Sequence, residues 1–523
     1  MLIDKRILLA GAAILTVSAS AMAADLPSRK SAPAEYVKIC DAYGAGFFYI
    51  PGTDTCLKIG GMARGEFAYI QPGNVLTIPT FKGSAPAAGV GNTTFVPSGT
   101  IDSTGFTARG RVELDARTQT AWGTARTFIG IRGTYGSGLY TGADNYTTNL
   151  LSGQSGAASI TVENAFVQFA GFTFGHTNAD IYSYFPPYWY NVISVYGSPS
   201  GFNILSYTAT FGGGLSATIG IEDRGNITSQ TAPGYTPNQV GGGIVALPAV
   251  AAASSGQTGG AFANGPYALP VLMGNIRYDQ PWGNIQVMGA LAQNTAVSTL
   301  IAPSAGGSNN FTITNTGWAL GAGVRINLPS LAAGDHIYLT GSYTNGLLDA
   351  ASTSSTSSHT GDIGRALTGL LRLDRSMYVI PSAAFGTAAC PGGAATTTAA
   401  CFTSEQTSAW SVATMFTHYW TPSIRSVLLA SYLSVTPGNR TQNTDWTLGG
   451  LSKANLLELS AQLVWSPVAN LDIGAEIAWE RLNQNLTGTN GAAPTAVPVA
   501  MGGPNYNPSS SALQGRIRFQ RQF

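Results

Sequence analysis

Charged side chains alternate with uncharged ones in the segment FTARGRVELDARTQ, residues 106–119. Arg109, Arg111, Glu113, Asp115 and Arg117 occupy odd positions, whereas the even positions carry only uncharged residues. A repeat of two is typical of a β-strand whose two faces meet different surroundings. Five charges on one face, in a chain with only 10% charged residues, can attract ions and orient dipolar solutes. The chemistry offered by this face is therefore electrostatic.

Few residues suit catalysis or metal binding. The histidines are His176, His336, His359 and His418, and the chain contains no H-E-x-x-H motif, no G-x-S-x-G elbow and no phosphate-binding glycine loop. His336 and His418 fall on predicted strands near turns, where we expect luminal or interface positions rather than general bases. We therefore predict no catalytic residues, no metal site and no cofactor.

The cysteines suit a structural role in an oxidising compartment. Cys40 and Cys56 lie close together in the sequence, as do Cys390 and Cys401, and neither pair has C-x-x-C spacing. Four cysteines allow three pairings, of which we favour the two local ones, Cys40–Cys56 and Cys390–Cys401.

The composition differs from that of an ordinary soluble protein. Only 10% of the 523 residues are Asp, Glu, Lys or Arg, whereas about 25% is typical of soluble domains. Glycine is abundant, at 65 residues, and helix-favouring runs of Glu, Lys and Leu are nearly absent. The formal net charge of +1 gives no sign of binding to nucleic acid.

The first residues have the features of a secretory signal. Lys5 and Arg6 precede an apolar run at 7–17, and small residues follow up to an A-x-A site at 21–23. We therefore predict a signal peptide at residues 1–23, cleaved after Ala23 or Ala24, and export of the chain. No later stretch of about 18 apolar residues indicates a transmembrane helix.

Sixteen later segments are predicted as strands, and the connectors between them are alternately short and long. An antiparallel meander in a bilayer has this layout, with tight turns at one edge and long loops at the other. We predict an N-terminal periplasmic lead-in at 24–55, a barrel domain at 56–523, and both chain ends on the short-turn side. The predicted strands are 56–69, 106–119, 123–133, 161–170, 171–182, 203–211, 215–223, 270–279, 284–293, 317–328, 335–345, 409–420, 424–435, 454–466, 470–482 and 512–523.

A closed barrel accounts for both faces of these strands. Lipid requires every backbone polar group to be paired within the protein, so strands can cross a bilayer only as a sheet without edges. A charge in hydrocarbon costs roughly several kcal/mol, so the charges at 107–117 are expected to line an aqueous lumen. We therefore predict an all-β fold: a transmembrane antiparallel β-barrel of sixteen strands with short periplasmic turns and long external loops. The tryptophans near strand ends fit its interfacial girdles: Trp122, Trp282, Trp318, Trp420, Trp465 and Trp479.

Three segments resemble the alphaproteobacterial, rhizobial-type outer-membrane porins. They are KICDAYGAGFFYIPGTDTCLKIGG at 38–61, AFVQFAGFTFGHT at 165–177, and the terminal GRIRFQRQF ending in Phe523. The resemblance implies a homotrimeric, water-filled diffusion channel for small hydrophilic solutes in the lipid of the bacterial outer membrane. It also implies that residues 176–202 fold into the barrel as a constriction loop, and that Phe523 is read by the barrel assembly machinery.

The predicted strand order brings inward charges together in two sectors. Because the last strand of a closed barrel lies beside the first, a basic sector spans four strands, and an acidic sector adjoins it; Glu66, Glu113 and Asp115 partly neutralise the basic side. Opposed charges in a narrow pore produce a transverse field and set ion preference, and we predict a weakly anion-preferring channel. The alternative is that the charges only hold the wall together through cross-strand pairs. The basic sector comprises Arg64, Arg109, Arg111, Arg117, Arg126, Arg132, Arg516 and Arg518, and the acidic sector Glu458, Asp472, Glu476 and Glu480.

The expected constriction loop is poor in acid and rich in aromatic residues. Asp180 is its single carboxylate, whereas general porins place several carboxylates opposite an arginine wall. Its aromatic residues either form a track for sugar faces or anchor the loop to the wall: Tyr182, Tyr184, Phe185, Tyr188, Trp189, Tyr190 and Tyr196.

Other functions fit parts of the sequence. A channel that prefers saccharides or small anions is the main alternative to a general pore. A barrel-type outer-membrane hydrolase and a surface adhesin are weaker alternatives. The loops rich in Ala, Gly, Ser and Thr suggest the adhesin, but the absence of a repeat of fixed period argues against it.

Overall fold

The structure is a computed structural model. It describes residues 38–70, 78–79, 93–94, 103–138, 157–177, 181–184, 202–223, 262–264, 269–298, 300–302, 307–309, 312–351, 377–381, 402–436, 438, 451–486 and 509–523. The predicted signal peptide, Asp180, Cys390 and Cys401 lie outside these residues.

Sixteen antiparallel strands form one closed barrel. Each strand pairs with the next one in the chain, and the last strand pairs with the first through a register running from Met62–Gln522 to Ile70–Gln514. The predicted fold class is therefore confirmed. The strands are β1 Cys56–Ile70, β2 Thr104–Thr120, β3 Gly123–Gly138, β4 Ala157–Phe169, β5 Phe172–Thr177, β6 Phe202–Gly212, β7 Leu215–Glu222, β8 Val271–Gln280, β9 Gly283–Ser298, β10 Thr312–Asn327, β11 His336–Asn345, β12 Ser408–Thr421, β13 Ile424–Thr436, β14 Leu451–Val468, β15 Leu471–Leu486 and β16 Ser509–Gln522.

Further short elements accompany the barrel. Phe48–Tyr49 pairs with the start of β1, and Phe262–Asn264 pairs with the end of β9. Three separate hairpins and two 3-10 turns complete the regular structure of the described residues: Ile78–Pro79 with Thr93–Thr94, Leu300–Ala302 with Gly307–Asn309, Met377–Pro381 with Phe402–Gln406, and the turns Asp41–Tyr43 and Leu348–Ala350. Among the described residues, no helix has the length and hydrophobicity needed to span a membrane.

The connectors of the barrel are alternately short and long. Seven connectors, such as 121–122 between β2 and β3 and 469–470 between β14 and β15, contain two to eight residues, whereas the others are longer. Cys56, at the start of β1, lies opposite Arg117 near the 121–122 turn, and the end of β16 pairs beside it. Both ends of the strand series therefore lie at the short-turn rim.

Side chains alternate between a buried or polar inner face and an apolar outer face. On β9, Gln286, Met288 and Ala290 are buried, whereas Val287 and Leu291 on the opposite face are exposed. This outer apolar surface is the face that meets lipid in a barrel. Exposed tryptophans follow both of its edges: Trp122, Trp282, Trp420 and Trp465 near the short turns, and Trp318 and Trp410 near the long connectors.

Polarity alternates poorly on β12 and β13 because the inner face there is itself buried and partly apolar. Met415 on β12 and Leu429 on β13 are register partners, and both are buried. On the outer face, Val412 and Leu428 are exposed. Apolar residues therefore occupy both faces, yet both strands form within one residue of the predicted bounds.

The predicted strand at 171–182 is wrong at its C-terminal end. β5 ends at Thr177, where its pairing with β6 ends, and Ile181 and Tyr182 are buried in a non-strand segment. Ile181 and Tyr182 are consecutive and both buried, so the two faces of a strand are not distinguished there. Pairing with a neighbour, rather than pattern, therefore sets the end of β5.

The N-terminal lead-in is joined covalently to the barrel. Cys40 and Cys56 form a disulfide with a Cα–Cα distance of 6.0 Å, which confirms one predicted pair. Their side chains are buried with Phe47, and Tyr43 and Tyr49 pack against them. Residues 38–55 therefore form a small disulfide-closed lobe at the short-turn rim, which we call the N-terminal lobe.

The seam between first and last strands is sealed by the terminal residue. Phe523 and Gly61 exchange two backbone hydrogen bonds of 3.1 Å. A Cβ atom on Gly61 would lie 2.6 Å from the Phe523 ring, closer than carbon atoms pack. Glycine at position 61 therefore lets the ring lie flat against β1.

Candidate functional site

Arginines face one another across three pairs of neighbouring strands. The register places Arg64 opposite Arg109, Arg111 opposite Arg132, and Arg117 opposite Arg126. We call these three cross-strand pairs the arginine rungs. Like charges directly opposite each other destabilise a sheet, so the surroundings of each rung decide what it does. All six side chains are partly exposed on the inner face of β1, β2 and β3.

Two of the rungs are neutralised by carboxylates. Asp115 accepts hydrogen bonds from both Arg117, at 2.7 Å, and Arg126, at 3.0 Å. Glu163 lies 3.2 Å from Arg132 and 3.6 Å from Arg111, and Glu113 lies 2.8 Å from Arg111. These ion pairs therefore link neighbouring strands of the wall, at the short-turn end around Asp115 and further along β2 around Arg111.

The Arg64–Arg109 rung has neutral partners. Arg64 donates to Gln520 Oε1 at 2.9 Å, and Arg109 donates to Thr134 Oγ1 at 3.2 Å. Neither guanidinium group has a carboxylate within 4.0 Å among the described residues. No carboxylate among the described residues therefore forms an ion pair with this rung, and its positive charge is not neutralised by direct contact.

Arg516 and Arg518 do not face the lumen openly. Glu66 lies between them, 2.5 Å from Arg518 and 3.4 Å from Arg516, and all three side chains are about 4% exposed. The register places Glu66 opposite Arg518 and Glu476 opposite Arg516. The seam between β16 and β1 thus contains a buried ionic cluster beside the partly exposed arginine rungs.

The four acidic residues lie on β14 and β15 as predicted, and three of them are buried. Glu458 and Glu480 are register partners, and Glu458 accepts a 2.7 Å hydrogen bond from Ser431 Oγ. Glu476 accepts from Ser460 and Gln462 at 2.6 and 2.9 Å. Asp472 is less buried and pairs with Arg425 at 2.9 Å. The basic and acidic sectors are therefore adjacent, but most of the acidic charge is covered.

Residues 181–184 lie inside the barrel against β7–β11. The Ile181 N–H donates to Glu222 Oε1 at 2.8 Å, and the carbonyl groups of Ile181 and Ser183 accept hydrogen bonds from Asn275 and Gln286 at 2.7 and 2.9 Å. Four consecutive residues are thus held by side chains of the wall. We call this stretch the inner segment.

Two tyrosines fix the inner segment to β9, β10 and β11. The hydroxyl of Tyr182 is 2.6 Å from Ser342 Oγ, and the hydroxyl of Tyr184 donates to Asn284 Oδ1. Their rings pack where β10 carries Gly321 and Gly323, since a Cβ atom at either position would collide with them. Both tyrosines are buried, so these two aromatic residues anchor the segment.

The inner segment faces the rungs across the lumen. In a ring of sixteen strands, β9 and β10 are eight positions from β1 and β2, which is half the circumference. The Arg64–Arg109 rung and the inner segment therefore bound the lumen from opposite sides. Asp180, the loop carboxylate expected to face the arginines, lies outside the described residues.

Comparison with known proteins identifies the family. The family model for the porin subfamily matches residues 25–501 of the chain. The chain belongs to this porin subfamily. The predicted resemblance is therefore confirmed, and this porin is located in the outer membrane. Porins are non-enzymatic, so the family assignment gives no support to the hydrolase alternative.

Individual relatives agree with this assignment. Porin Omp2b of Brucella suis biovar 1 is 31% identical over 251 residues, which cover 46% of this porin and 61% of the relative. Porin Omp2b of Brucella abortus has the same identity and coverage, so the matched region spans about three fifths of these curated relatives. The outer membrane channel DcaP of Acinetobacter baumannii has the same fold, with a TM-score of 0.52 and 15% identity over 91% of this porin and 99% of that chain.

Sequence reasoning missed Glu163 because a β-bulge moves it. The register between β3 and β4 shifts at Gly130–Ile131, leaving Glu163 as the extra residue between Val162 and Asn164. A bulge breaks strict alternation, so Glu163 reaches Arg111 and Arg132 although Val162 on one side and Val167 beyond are on the outer face. A glutamate directly after the apolar Val162, in a predicted strand, was the available signal.

A second group of arginines, on β8 and β10, was also missed. Arg277 lies 6.0 Å from the centre of the Tyr184 ring, and Arg325 lies 5.5 Å from that of Tyr338. Both strands were predicted, but each contributes one arginine near a turn, and no run of charge drew attention to them.

Proposed function

We propose that this porin forms a water-filled channel for passive diffusion of small hydrophilic solutes and ions, with a weak preference for anions. The observation that carries the proposal is the Arg64–Arg109 rung, which has no carboxylate partner and lies across the lumen from the inner segment. A narrow aqueous passage bounded by uncompensated positive charge attracts anions.

The balance of charge on the basic side supports a weak rather than a strong preference. The inner face of β1, β2, β3 and β16 carries eight arginines and Lys58, accompanied by four carboxylates, Glu66, Glu113, Asp115 and Glu163. The excess is therefore five positive charges. The acidic sector at Glu458, Asp472, Glu476 and Glu480 opposes part of this excess, and its contribution to the field in the pore stays a prediction.

Reversal potentials in planar bilayers test the proposal. Under a tenfold gradient of KCl, we expect the reversal potential of the native porin to have the sign that indicates a preference for chloride over potassium. The single substitutions R64Q and R109Q should each move the reversal potential towards zero or beyond. Arg481→Gln is the charge-matched control, because it removes one exposed arginine on β15 that donates to Asn483. A clear cation preference of the native porin would overturn the proposal.

We also propose a homotrimer exported by the predicted signal peptide and inserted in lipid by the barrel assembly machinery through Phe523. Support for self-association comes from the outer face, where Gly65, Gly110 and Gly133 form a shallow depression with Ala63 and Ala108 because no side chain fills the space above the glycines. Mass measurement of the detergent-solubilised porin should give three copies, and a monomer at all concentrations would contradict this.

A saccharide-preferring channel is the second candidate. The aromatic content of the loop at 176–201 favours it, but Tyr182 and Tyr184 are buried as anchors and offer no free ring face to a sugar. Liposome swelling with neutral sugars and non-sugar solutes of equal size separates the two candidates, since a general pore admits both classes at similar rates.

A further inference from the structure

A cluster of aromatic rings and guanidinium groups lies at the Tyr184 end of the inner segment, on the wall opposite the rungs. The rings of Tyr184 and Tyr338 are 6.1 Å apart, and the ring of His336 meets Tyr338 edge-on at 5.4 Å. Arg277 lies over Tyr184 and Arg325 lies over Tyr338. β8, β10 and β11 thus bring two cations to one aromatic surface, which we call the exit cluster.

Arg325 is the cation of the exit cluster that lacks an acid. Asp279 is held by Arg277 through two hydrogen bonds of 2.8 Å. Asp335, the acid nearest along the chain, accepts hydrogen bonds from His418 and from the N–H of Tyr419. Arg325 has no carboxylate within 4.0 Å among the described residues, and its buried Nε has no hydrogen-bond acceptor there.

The neighbours of Arg325 restrict its motion. The register places Asn284 on one side of it and Tyr338 on the other. Asn284 is engaged by Tyr184, and the Nδ1–H of His336 donates to the carbonyl of Gly334 at 2.8 Å. The guanidinium is therefore supported by a ring on a fixed wall, so little conformational freedom is lost when it binds a partner.

The position of Arg325 places it at the channel exit. It lies two residues from the end of β10, at the short-turn rim, and Arg117 and Arg126 lie three residues from that rim on β2 and β3. A solute that passes the Arg64–Arg109 rung therefore meets guanidinium groups on both walls. Arg117 and Arg126 share Asp115, whereas Arg325 has no carboxylate within 4.0 Å among the described residues.

We propose that Arg325, supported by Tyr338, is an oxyanion-binding subsite at the short-turn exit, which takes the carboxylate or phosphate group of a passing solute. The subsite rests on the proposed channel function and deepens it, since it selects solutes by a charged group rather than by size alone. A guanidinium group binds such oxyanions with two parallel hydrogen bonds. Chloride, which is spherical, gains no benefit from that geometry.

Block of the chloride current measures the subsite directly. Benzoate and inorganic phosphate are added separately, at increasing concentration, to the side of the bilayer that faces the short turns. We expect one or both to reduce the current of the native porin, and Arg325→Gln to raise the half-blocking concentration about tenfold, which corresponds to about 1.4 kcal/mol. A change for benzoate alone or for phosphate alone identifies the oxyanion.

Two further variants keep the result interpretable. Arg325→Lys retains the charge but loses the two-pronged geometry, so it should bind the oxyanion more weakly than the native porin while the chloride current persists. Arg481→Gln removes one charge far from the exit and should leave the half-blocking concentration unchanged. Equal block of the native porin and of both Arg325 variants would overturn the subsite. Failure of the proposed channel function would be seen separately, because the native porin would then carry no current.

Discussion

Gly323 makes room for Tyr184. Gly323 has no side chain, and the Tyr184 ring occupies the space that a Cβ atom at this position would need. Because the Tyr184 hydroxyl then reaches Asn284 on β9, one glycine allows the chain after β5 to be fastened to the far wall.

We expect Gly323→Ala to displace the inner segment and to increase single-channel conductance, because the added methyl group competes with the Tyr184 ring. Conductance in planar bilayers measures this. Gly289→Ala on β9 is the matched control, since its new Cβ would make ordinary contacts, 3.5 Å from the Leu320 side chain and 3.8 Å from the Ala319 carbonyl oxygen. Unchanged conductance for Gly323→Ala would show that the inner segment does not narrow the passage.

Removal of Glu66 should destabilise the barrel. Glu66→Gln removes the carboxylate that lies 3.4 Å from Arg516 and 2.5 Å from Arg518, and breaking a buried ion pair by removing one partner costs about 3–5 kcal/mol. Urea-induced unfolding of the porin from lipid vesicles gives the free energy of unfolding. Glu113→Gln, whose carboxylate is partly exposed, should cost no more than about 1 kcal/mol, and an equal loss for both variants would contradict the assigned roles.

Loss of the disulfide should release the N-terminal lobe while the barrel persists. The Cys40–Cys56 bridge closes a loop with a sequence separation of 16, for which chain entropy contributes about 3 kcal/mol. In the double variant C40S and C56S, we expect proteolysis within residues 38–55 by a soluble protease, with strands β1–β16 still protected. A lobe equally resistant in both proteins would show that its aromatic contacts suffice.

Those aromatic contacts involve Arg117, whose guanidinium lies 4.9 Å from the Phe47 ring centre. The Tyr43 ring lies 5.7 Å from the same guanidinium. The proteolysis experiment therefore reports on cation–π contacts as well as on the disulfide.

Asp335 should make stability depend on pH in the acid range. Burial alone would raise the pKa of its carboxyl, but hydrogen bonds from the Tyr419 N–H and from His418 outweigh burial and lower the pKa below the ordinary value. A lowered folded-state pKa contributes stability above the unfolded-state pKa of about 3.9, and that stability is lost as the pH falls through the folded-state value.

Thermal unfolding between pH 7 and pH 2 checks this expectation. The unfolding temperature of the native porin should fall more steeply below pH 4 than that of Asp335→Ala, which has already lost these hydrogen bonds. Asp279→Ala offers a comparison at another short-turn position, where the carboxylate accepts two hydrogen bonds from Arg277. Parallel curves for native porin and Asp335→Ala would contradict the assignment.

The strands could be predicted from the sequence because lipid and water impose a period of two on each of them. The alternation of charge at 107–117, together with the pairing of the last strand with the first, predicted which neighbouring strands carry the arginines. The register decided what they do: Gln520, rather than an arginine, lies opposite Arg64, and Glu66 lies opposite Arg518. A shift of one residue changes such partners and cannot be read from alternation.

Two other features depended on three-dimensional contacts. The bulge at Glu163 breaks the period without a sequence marker such as glycine or proline at that residue. The path of residues 181–184 depends on hollows at Gly321 and Gly323, more than 130 positions along the chain. Local pattern contains no information about such partners.

The Arg64–Arg109 rung also links the proposed permeation to folding. Since its two guanidinium groups face each other and neither forms an ion pair with a carboxylate among the described residues, an anion bound beside this rung would have no equivalent site on the unfolded chain. Such binding raises stability by mass action. Under the proposed anion preference, we therefore expect the barrel to be hardest to unfold in a solution of the anions that it conducts.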